Sequence, residues 1–230
     1  MRLAVIPARG GSKRIPRKNI KEFCGKPMMA WSIEAAKQSG CFDHIVVSTD
    51  NDEVAEVAQA LGAEVPFMRP AELANDYAGT TPVIQHATKW LLENAKAEQS
   101  KLTEICCIYA TAPFLEATDI NNGLTQLLAQ KADYAFAVTR YAFPIQRAIK
   151  ITPHQRIAMF QPEHFNTRSQ DLEEAYHDAG QFYWGTTNAW LEAKLLFSAN
   201  AIPIILPGHR VQDIDTPEDW IRAEQMFKAL

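Results

Sequence analysis

The stretch LAVIPARGGSKRIPRKN, residues 3–19, joins an apolar run to a loop that holds two glycines, a serine and five cations. A short apolar run that ends at Pro7 is typical of a buried strand. Glycines directly after such a strand let backbone N–H groups approach an anion closely, and Arg and Lys neutralise its charge. The stretch therefore predicts an α/β fold with an anion site at the carboxyl end of its first strand.

The residue spacing within this basic loop, residues 8–19, distinguishes between several known anion-binding motifs. It fits neither GxxxxGK[ST], the P-loop pattern, nor GxGxxG, the dinucleotide-binding pattern. Nucleic-acid binding is disfavoured because the net charge is −4 and no other stretch continues the loop with basic and aromatic residues. A solvated basic turn explains the charge but leaves Gly10, Gly11 and Ser12 unexplained. Polyphosphate binding is the preferred interpretation.

Length and composition are those of an ordinary globular protein, with 230 residues, 47% hydrophobic and 22% charged. We predict a single domain over residues 1–230. The first apolar run is too short for a signal sequence and no later one reaches the length of a membrane span, so we expect a soluble, cytoplasmic protein with no membrane partner. Its four cysteines lack CxxC spacing and are expected to be reduced and structural.

Short apolar runs alternate with segments of helical period along most of the chain, which predicts a three-layer, mostly parallel, Rossmann-like α/β fold. Strands are predicted over residues 3–7, 44–50, 63–69, 104–110 and 133–140, and helices over residues 27–40, 51–62, 81–96, 119–130 and 217–230. Regular structure also resumes over residues 180–185, 186–197 and 201–207. Residues 141–177 lack a clear period and predict an inserted excursion, such as a β-arm or a subunit contact.

The segment QDIDTPEDW, residues 212–220, allows two interpretations of its carboxylates. Asp213 and Asp215 are two residues apart, so an extended backbone places both on one face, where they can share a hard cation such as Mg²⁺. Alternatively, Thr216 and Asp219 begin a helix, and the acidic residues serve its N-terminus. Asp213 lies outside that cap.

Together with VVSTD, FMRPAELA, TAPF, DAGQFYWG and QDIDTPEDW, the basic loop resembles the CMP-sugar synthetases that activate nonulosonic acids, the sialic acid cytidylyltransferase family. The resemblance runs the length of the chain and is greatest to the branch that acts on pseudaminic acid. It implies a nucleotide-diphospho-sugar transferase fold, and transfer of a cytidylyl group from CTP to pseudaminic acid with Mg²⁺. It also implies a homodimer in which residues 141–177, with Arg147 or Arg168, reach the neighbouring active site.

The same resemblance assigns the basic loop to the triphosphate and nucleoside of CTP. The expected nucleotide-binding residues are Ala8, Arg9, Gly10, Gly11, Ser12, Lys18, Asn19 and Arg69. Arg9 is expected to neutralise the departing pyrophosphate, and Lys18 the charge that builds on the α-phosphate. The resemblance places Arg69 near the cytosine and ribose, whereas the residues alone equally allow it to pair with Glu72.

The resemblance further implies that Asp213 and Asp215 bind Mg²⁺, which would position the anomeric hydroxyl for in-line attack. A metal-lowered hydroxyl pKa and proton acceptance by Asp213 are both open at this point. The expected sugar-binding residues are Tyr109, Thr111, Arg168, Gln181 and Tyr183. Among the aromatic residues, Tyr109, Phe182 and Trp184 could equally belong to the core.

Tyr109 also bears on which sugar is bound. Sialic acid members of the family tend to carry Gln two residues before a TSP-like turn, where this chain has Tyr109 in IYATAP. The difference favours pseudaminic acid, with sialic or legionaminic acid as the closest alternative. A non-catalytic phosphate- or nucleic-acid-binding module is the alternative from another class, and the pair Asp213 and Asp215 argues against it.

Overall fold

The computed structural model describes residues 1–94 and 101–230. Its strands are β1 (Arg2–Pro7), β2 (Glu22–Phe23), β3 (Lys26–Pro27), β4 (His44–Ser48), β5 (Glu104–Ile108), β6 (Tyr134–Arg140), β7 (Ile149–Ile151), β8 (Ile157–Met159), β9 (Tyr176–Thr186) and β10 (Ala201–Ile205). Its helices are α1 (Met28–Ser39), α2 (Asp52–Ala60), α3 (Thr80–Asn94), α4 (Ala117–Gln130), α5 (Thr187–Leu191) and α6 (Pro217–Lys228).

A six-stranded sheet with the order β10-β6-β9-β5-β1-β4 forms the centre of the protein. The pairs β1–β4, β1–β5 and β6–β10 are parallel, whereas β9 runs antiparallel to both β5 and β6. The prediction of a mostly parallel α/β sheet is therefore confirmed. The carboxyl ends of β1, β4 and β5 meet at one edge, where ligands bind in open α/β sheets.

Helices cover both faces of this sheet, and each face has its own apolar core. On one face, α1, α2 and α4 contribute Ile33, Val54 and Leu127 to a core that includes Trp184. On the other face, α3 and α5 bury Ile84 and Trp190 against β1, β5 and β6. These two cores complete the predicted three layers. Within the described residues, every helix is too short or too polar to cross a membrane.

Helix α6 closes a third, smaller cluster beside the basic loop. Its N-terminus has the expected capping box, because the Thr216 side chain accepts from the Asp219 N–H while the Asp219 carboxylate accepts from the Thr216 N–H. Trp220 then packs edge-on against Phe23, with ring centroids 5.3 Å apart. This packing fixes the segment that carries Asp213 and Asp215 next to the basic loop.

Two predicted elements differ from the structure. Residues 63–69 form only two isolated bridges, one to Val46 in β4 and one to Thr49 just after it, because Pro66 has no N–H to continue a ladder. The helical period over residues 186–197 yields only the five-residue α5, which stops before Ala193 in the left-handed region at φ 51°. Helix α3 confirms most of the predicted helix over residues 81–96, whose last two positions lie outside the described residues.

The excursion over residues 141–177 has regular structure of its own. It contains the antiparallel hairpin β7–β8, and its last two residues belong to β9. Large apolar side chains on it face outwards, including Phe143, Ile151 and Ile157, which are 83%, 71% and 72% exposed. A small hairpin carrying this much exposed apolar surface is what a subunit contact requires, although the subunit contact itself stays a prediction.

Gly185 in β9 occupies a position where the core leaves no room for a side chain. A Cβ added there would lie 2.5 Å from the Trp190 Nε1 atom and 2.7 Å from the Tyr134 ring. We expect Gly185→Ala to lower the free energy of unfolding by about 1–3 kcal/mol in urea denaturation. Gly208→Ala is the matched control, since its Cβ would meet only Thr139 at 3.9 Å. Equal midpoints for both variants would contradict the expectation.

Candidate functional site

A cavity of about 510 Å³ opens at the carboxyl edge of the sheet, directly after β1 and β5. It is lined by Pro7, Arg9, Ser12, Lys13, Arg14, Lys18, Asn19, Arg69, Asp76, Ala78, Gly79, Thr80, Val83, Tyr109, Ala110, Thr111 and Asp215. Five Arg and Lys side chains thus face one space that contains two carboxylates. This first cavity lies where the sequence predicts an anion site.

Asp76 neutralises one half of this cationic set. Its two carboxylate oxygens accept from Arg9 Nη1 at 2.7 Å and from Lys13 Nζ at 2.5 Å. The hydrogen bond from Lys13, followed by that from Arg9, holds the pKa of Asp76 below its usual value. Asp76 therefore stays ionised at neutral pH and competes with any anion that approaches Arg9 and Lys13.

Asp215 neutralises the other half. Arg14 Nη2 lies 2.7 Å from one carboxylate oxygen, and Lys18 Nζ lies 3.2 Å from the other. Lys18 also donates to the Ile214 carbonyl at 2.7 Å. Burial by itself would raise the pKa of Asp215, but the hydrogen bonds and charges of Lys18 and Arg14 outweigh it and lower that pKa. Residues nearly 200 positions apart in the chain thus form one ionic cluster.

The backbone of the basic loop is anchored to the neighbouring strand before it reaches the cavity. The N–H of Ala8 donates to the Ser48 carbonyl at 2.9 Å, which extends the pairing of β1 with β4. The Gly10 N–H donates to Asp50 Oδ1 at 2.9 Å. Ala8 and Gly10 therefore hold the loop in place, whereas Gly11 lies at the exposed turn.

Asn19 and Ser12 belong to the basic loop and line the first cavity. The Asn19 side chain is buried, and its Nδ2 donates to the Arg9 carbonyl at 2.9 Å, which closes the loop on itself. Ser12 lines the same cavity, as does Thr111, which follows β5. The structure thus brings together Arg9, Ser12, Lys18 and Asn19 from the predicted nucleotide-binding set.

Arg69 is a buried cation on the wall of the first cavity, only 6% exposed. Its Nε donates to Ser48 Oγ at 3.0 Å, and its Nη atoms donate to the carbonyls of Ser48 and Leu73. Burial lowers the pKa of Arg69 to about 10, so it remains charged at neutral pH. Arg69 therefore lines the first cavity and does not pair with Glu72, while its contact with cytosine and ribose stays a prediction.

A second cavity, of about 470 Å³, adjoins the first through the shared Tyr109 side chain. Its lining consists of Tyr109, His177, Asp178, Ala179, Gly180, Tyr183, Val211, Gln212 and Asp213. Three aromatic residues could belong either to the core or to the sugar site. Phe182 and Trp184 are fully buried core residues, whereas Tyr109 lines the second cavity, as does Tyr183.

Asp213 and Asp215 stand at the junction, with Asp213 lining the second cavity and Asp215 the first. Burial, together with the charge of Asp215, raises the pKa of Asp213 above its ordinary value. Two carboxylates that repel each other and border a polyphosphate-sized space are a donor set that a hard divalent cation fits. Among the described residues no third Asp, Glu, His or Cys joins them, so ligand oxygens would complete the coordination.

Two predicted sugar-binding residues have other partners in the structure. The Gln181 side chain, only 3% exposed, donates through Nε2 to the Arg210 carbonyl at 2.6 Å. Arg168 is exposed on the excursion, residues 141–177, and forms a bidentate pair with Asp171, at 2.6 and 3.0 Å. Within a single subunit, Arg168 therefore lies apart from both cavities.

Among the cavity residues that were not predicted from sequence are two carboxylates, Asp76 and Asp178. Asp76 sits in a polar loop before α3 and gives no periodic or spacing signal. Asp178 begins the motif DAGQFYWG, where the glycine two residues later signals an irregular strand that can aim a side chain into a site.

Comparisons with known proteins agree with this geometry. A family model described as Cytidylyltransferase matches residues 3–208. A pseudaminic acid cytidylyltransferase of Campylobacter jejuni is 44% identical over 98% of this chain and 96% of its own. A CMP-N,N'-diacetyllegionaminic acid synthase of Legionella pneumophila is 33% identical with the same coverage. A solved CMP:2-keto-3-deoxy-manno-octonic acid synthetase complexed with CTP shares the fold, with a TM-score of 0.70 at 16% identity over 99% of this chain and 98% of its own. The chain therefore belongs to the cytidylyltransferase family.

Proposed function

We propose that the protein transfers the cytidylyl group of CTP to pseudaminic acid and releases pyrophosphate. The observation that carries the proposal is that the two cavities share Tyr109, while Asp215 lines the first and Asp213, two residues earlier, lines the second. A cationic cavity beside a carboxylate- and tyrosine-lined one suits a triphosphate donor and a sugar acceptor. The 44% identity over nearly the whole chain supports pseudaminic acid as that acceptor.

The basic loop supplies the charge that a triphosphate needs. Arg9 and Lys13 would bind the β- and γ-phosphates, and Arg14 and Lys18 the α-phosphate, because the first pair meets at Asp76 and the second at Asp215. Arg69, held rigidly by Ser48, would face the nucleoside. Such preorganised cations stabilise charge that develops on phosphate oxygens in the transition state.

In the reaction, the anomeric hydroxyl oxygen forms a bond to the α-phosphorus while the bond from that phosphorus to the bridging oxygen breaks. Pyrophosphate leaves with that oxygen and its electron pair, towards Arg9 and Lys13. Asp213 borders the acceptor cavity, and we assign it the hydroxyl proton.

Asp213 and Asp215 would also hold Mg²⁺, since they border both cavities. Bound Mg²⁺ would neutralise phosphate charge and lower the pKa of the hydroxyl. Lys18, which donates to both Asp215 and the Ile214 carbonyl, keeps this segment in register with the basic loop. A cytoplasmic location is consistent with the use of CTP as the donor.

The arm, residues 141–177, is proposed as the homodimer contact. Its exposed Phe143, Ile151, Ile157, Phe160 and Phe165 offer an apolar surface suited to a second copy of the chain. Dimerisation would also cover Arg168 and bring it near a neighbouring active site. We expect sedimentation to give a dimer, and Ile151→Asp to give a monomer of lower activity. A fully active monomer would contradict the proposed contact.

The function is tested by measuring pyrophosphate release with CTP and Mg²⁺. Pseudaminic acid, N-acetylneuraminic acid and N,N'-diacetyllegionaminic acid are offered in parallel as acceptors. We expect release with pseudaminic acid at the highest kcat/KM. Preference for another acid would support the proposed cytidylyl transfer but overturn pseudaminic acid as the acceptor. Lack of pyrophosphate release with all three acids would overturn the proposed function.

Asp76 is expected to weaken nucleotide binding, because CTP must displace it from Arg9 and Lys13. We expect Asp76→Asn to lower the Kd for CTP about two- to tenfold at low salt, with a smaller effect at high salt. Calorimetric titration with CTP measures the Kd at both salt concentrations. Glu218→Gln, which breaks an exposed pair with Arg222 on α6, is the control. Weaker CTP binding by Asp76→Asn would show that Asp76 itself contributes to the bound state.

A further inference from the structure

The wall of the second cavity presents an unusual set of polar groups around Asp178. The Tyr183 hydroxyl lies 2.8 Å from Asp178 Oδ1 and 2.7 Å from Oδ2. The Gly180 N–H donates to Oδ1 at 2.8 Å. Tyr109, whose ring centroid is 5.3 Å from that of Tyr183, carries a hydroxyl 3.2 Å from Thr80 Oγ1. Asp178 thus anchors a row of hydroxyls that extends from the second cavity to the first.

An irregularity in β9 creates this arrangement. The pairing of β9 with β6 shifts register between Phe136 and Val138, so more residues of β9 than of β6 span that interval. Gly180 lies in this interval with φ at +62°, a conformation that glycine adopts without strain. The irregularity turns Asp178 back towards Tyr183, five residues later. Strand irregularities of this kind commonly redirect side chains beside active sites.

Two side-chain donors on this wall, the Tyr183 hydroxyl and His177 Nδ1, already have partners, whereas acceptor lone pairs remain. Burial, followed by the nearby Tyr109 and Asp178, raises the pKa of Tyr183, so its hydroxyl keeps its proton and donates it to Asp178. His177 Nδ1 lies 2.9 Å from the Asp178 carbonyl, which can only accept. In the described part of the chain the lining includes neither Arg nor Lys. The free lone pairs of Asp178, Tyr183 and Asp213 therefore suit a ligand rich in donors.

We propose that Asp178 is a specificity-determining residue, which accepts a hydrogen bond from an amide N–H group of the acceptor sugar and fixes the Tyr183 hydroxyl as a further hydrogen-bond acceptor. This inference rests on the proposed function. The anomeric end of the sugar must meet the α-phosphate at the junction of the cavities, so its distal, N-acylated end extends towards Asp178. The sugar's own carboxylate, repelled by Asp178 and Asp213, turns towards the cations of the first cavity.

The test compares Asp178→Asn, Tyr183→Phe and the wild-type protein in steady-state pyrophosphate release with CTP. The asparagine keeps the volume but replaces an acceptor oxygen with a donor, so we expect KM for pseudaminic acid to rise about 10- to 100-fold. KM for CTP should stay within twofold. Tyr183→Phe should raise KM for the acid severalfold, and it keeps the inference testable if the Asp178 variant does not fold. Asp133→Asn, at the opposite edge of the sheet beside Lys194, is the matched control.

A second acceptor substrate distinguishes recognition of the sugar's amide groups from a general structural effect of the substitution. 2-Keto-3-deoxy-manno-octonic acid has no amide N–H, so its turnover, where measurable, should fall less in Asp178→Asn than that of pseudaminic acid. Equal losses for both acids, a parallel rise in KM for CTP, or an unchanged KM for pseudaminic acid would overturn the role of Asp178. Inactivity of the wild-type protein with every nonulosonic acid would instead overturn the proposed function, and the inference with it.

Discussion

Replacing Lys18 with methionine is expected to lower kcat for pyrophosphate release about 10²- to 10³-fold, a loss typical of removing one preorganised transition-state contact. Lys18 is the loop cation most enclosed by its surroundings, with a side chain 18% exposed, whereas those of Lys13 and Arg14 are 80% and 62% exposed. Its ammonium is held by the Ile214 carbonyl and Asp215, so little reorganisation is needed when charge builds on the α-phosphate.

Methionine keeps the apolar stem of Lys18, so the variant should remain folded. Loss of the hydrogen bond to Ile214 costs about 1 kcal/mol, which corresponds to a fall in Tm of about 2–4 °C. Lys21→Met is the matched control, because Lys21 is exposed, lies over the Trp220 ring and should be replaceable with full activity. A Lys18 variant that keeps wild-type kcat, or that loses activity only through unfolding, would contradict the role in catalysis.

The first cavity was largely predictable because its chemistry follows directly from two short segments. A strand, two glycines and a run of cations predict an anion site, and residues 212–220 predict a pair of carboxylates. Both segments lie at the carboxyl edge of a parallel sheet, so the fold class alone brings them near each other. The ion pairs of Asp215 with Arg14 and Lys18 are the result.

The second cavity was only partly predictable, because it depends on the irregular strand β9. Alternation along a regular strand would put Gln181 and Tyr183 on the same face, and both were predicted to contact the sugar. The register shift opposite Phe136 leaves Gln181 bonded to the Arg210 carbonyl and Tyr183 on the cavity wall. Periodicity also carries no information on strand direction, so the antiparallel course of β9 could not be predicted.

Ion pairing explains why Asp76 could not be found either. Its position in the polar loop after residues 63–69 gives no pattern, and its importance comes only from reaching Arg9 and Lys13 across the cavity. With Asp76 on one side and Asp215 on the other, four cations of the basic loop each meet a carboxylate. The folded protein thereby keeps a dense cationic cluster stable until a polyphosphate takes over the same contacts.

Asp213 borders the second cavity and is the group to which we assign the hydroxyl proton, so it should be the most sensitive position. We expect Asp213→Asn to lower kcat about 10³-fold, since it removes both the proton acceptor and half of the carboxylate pair. The neutral amide also relieves repulsion with Asp215, so Tm should be unchanged or slightly higher. Circular dichroism and pyrophosphate release measure the two effects.

A control within the same segment separates charge from structure. Asp219→Asn alters the capping box of α6 and should cost up to about 1 kcal/mol of stability while leaving kcat within a fewfold of wild type. Asp213→Asn should show the opposite profile, with stability retained and catalysis lost. In addition, CTP titrations with and without Mg²⁺ should show that the gain in affinity on adding Mg²⁺ shrinks in Asp213→Asn. If that gain and kcat both match the wild-type values, neither a metal-binding nor a proton-accepting role can be assigned to Asp213, and the reaction must depend on Asp215 and the loop cations alone.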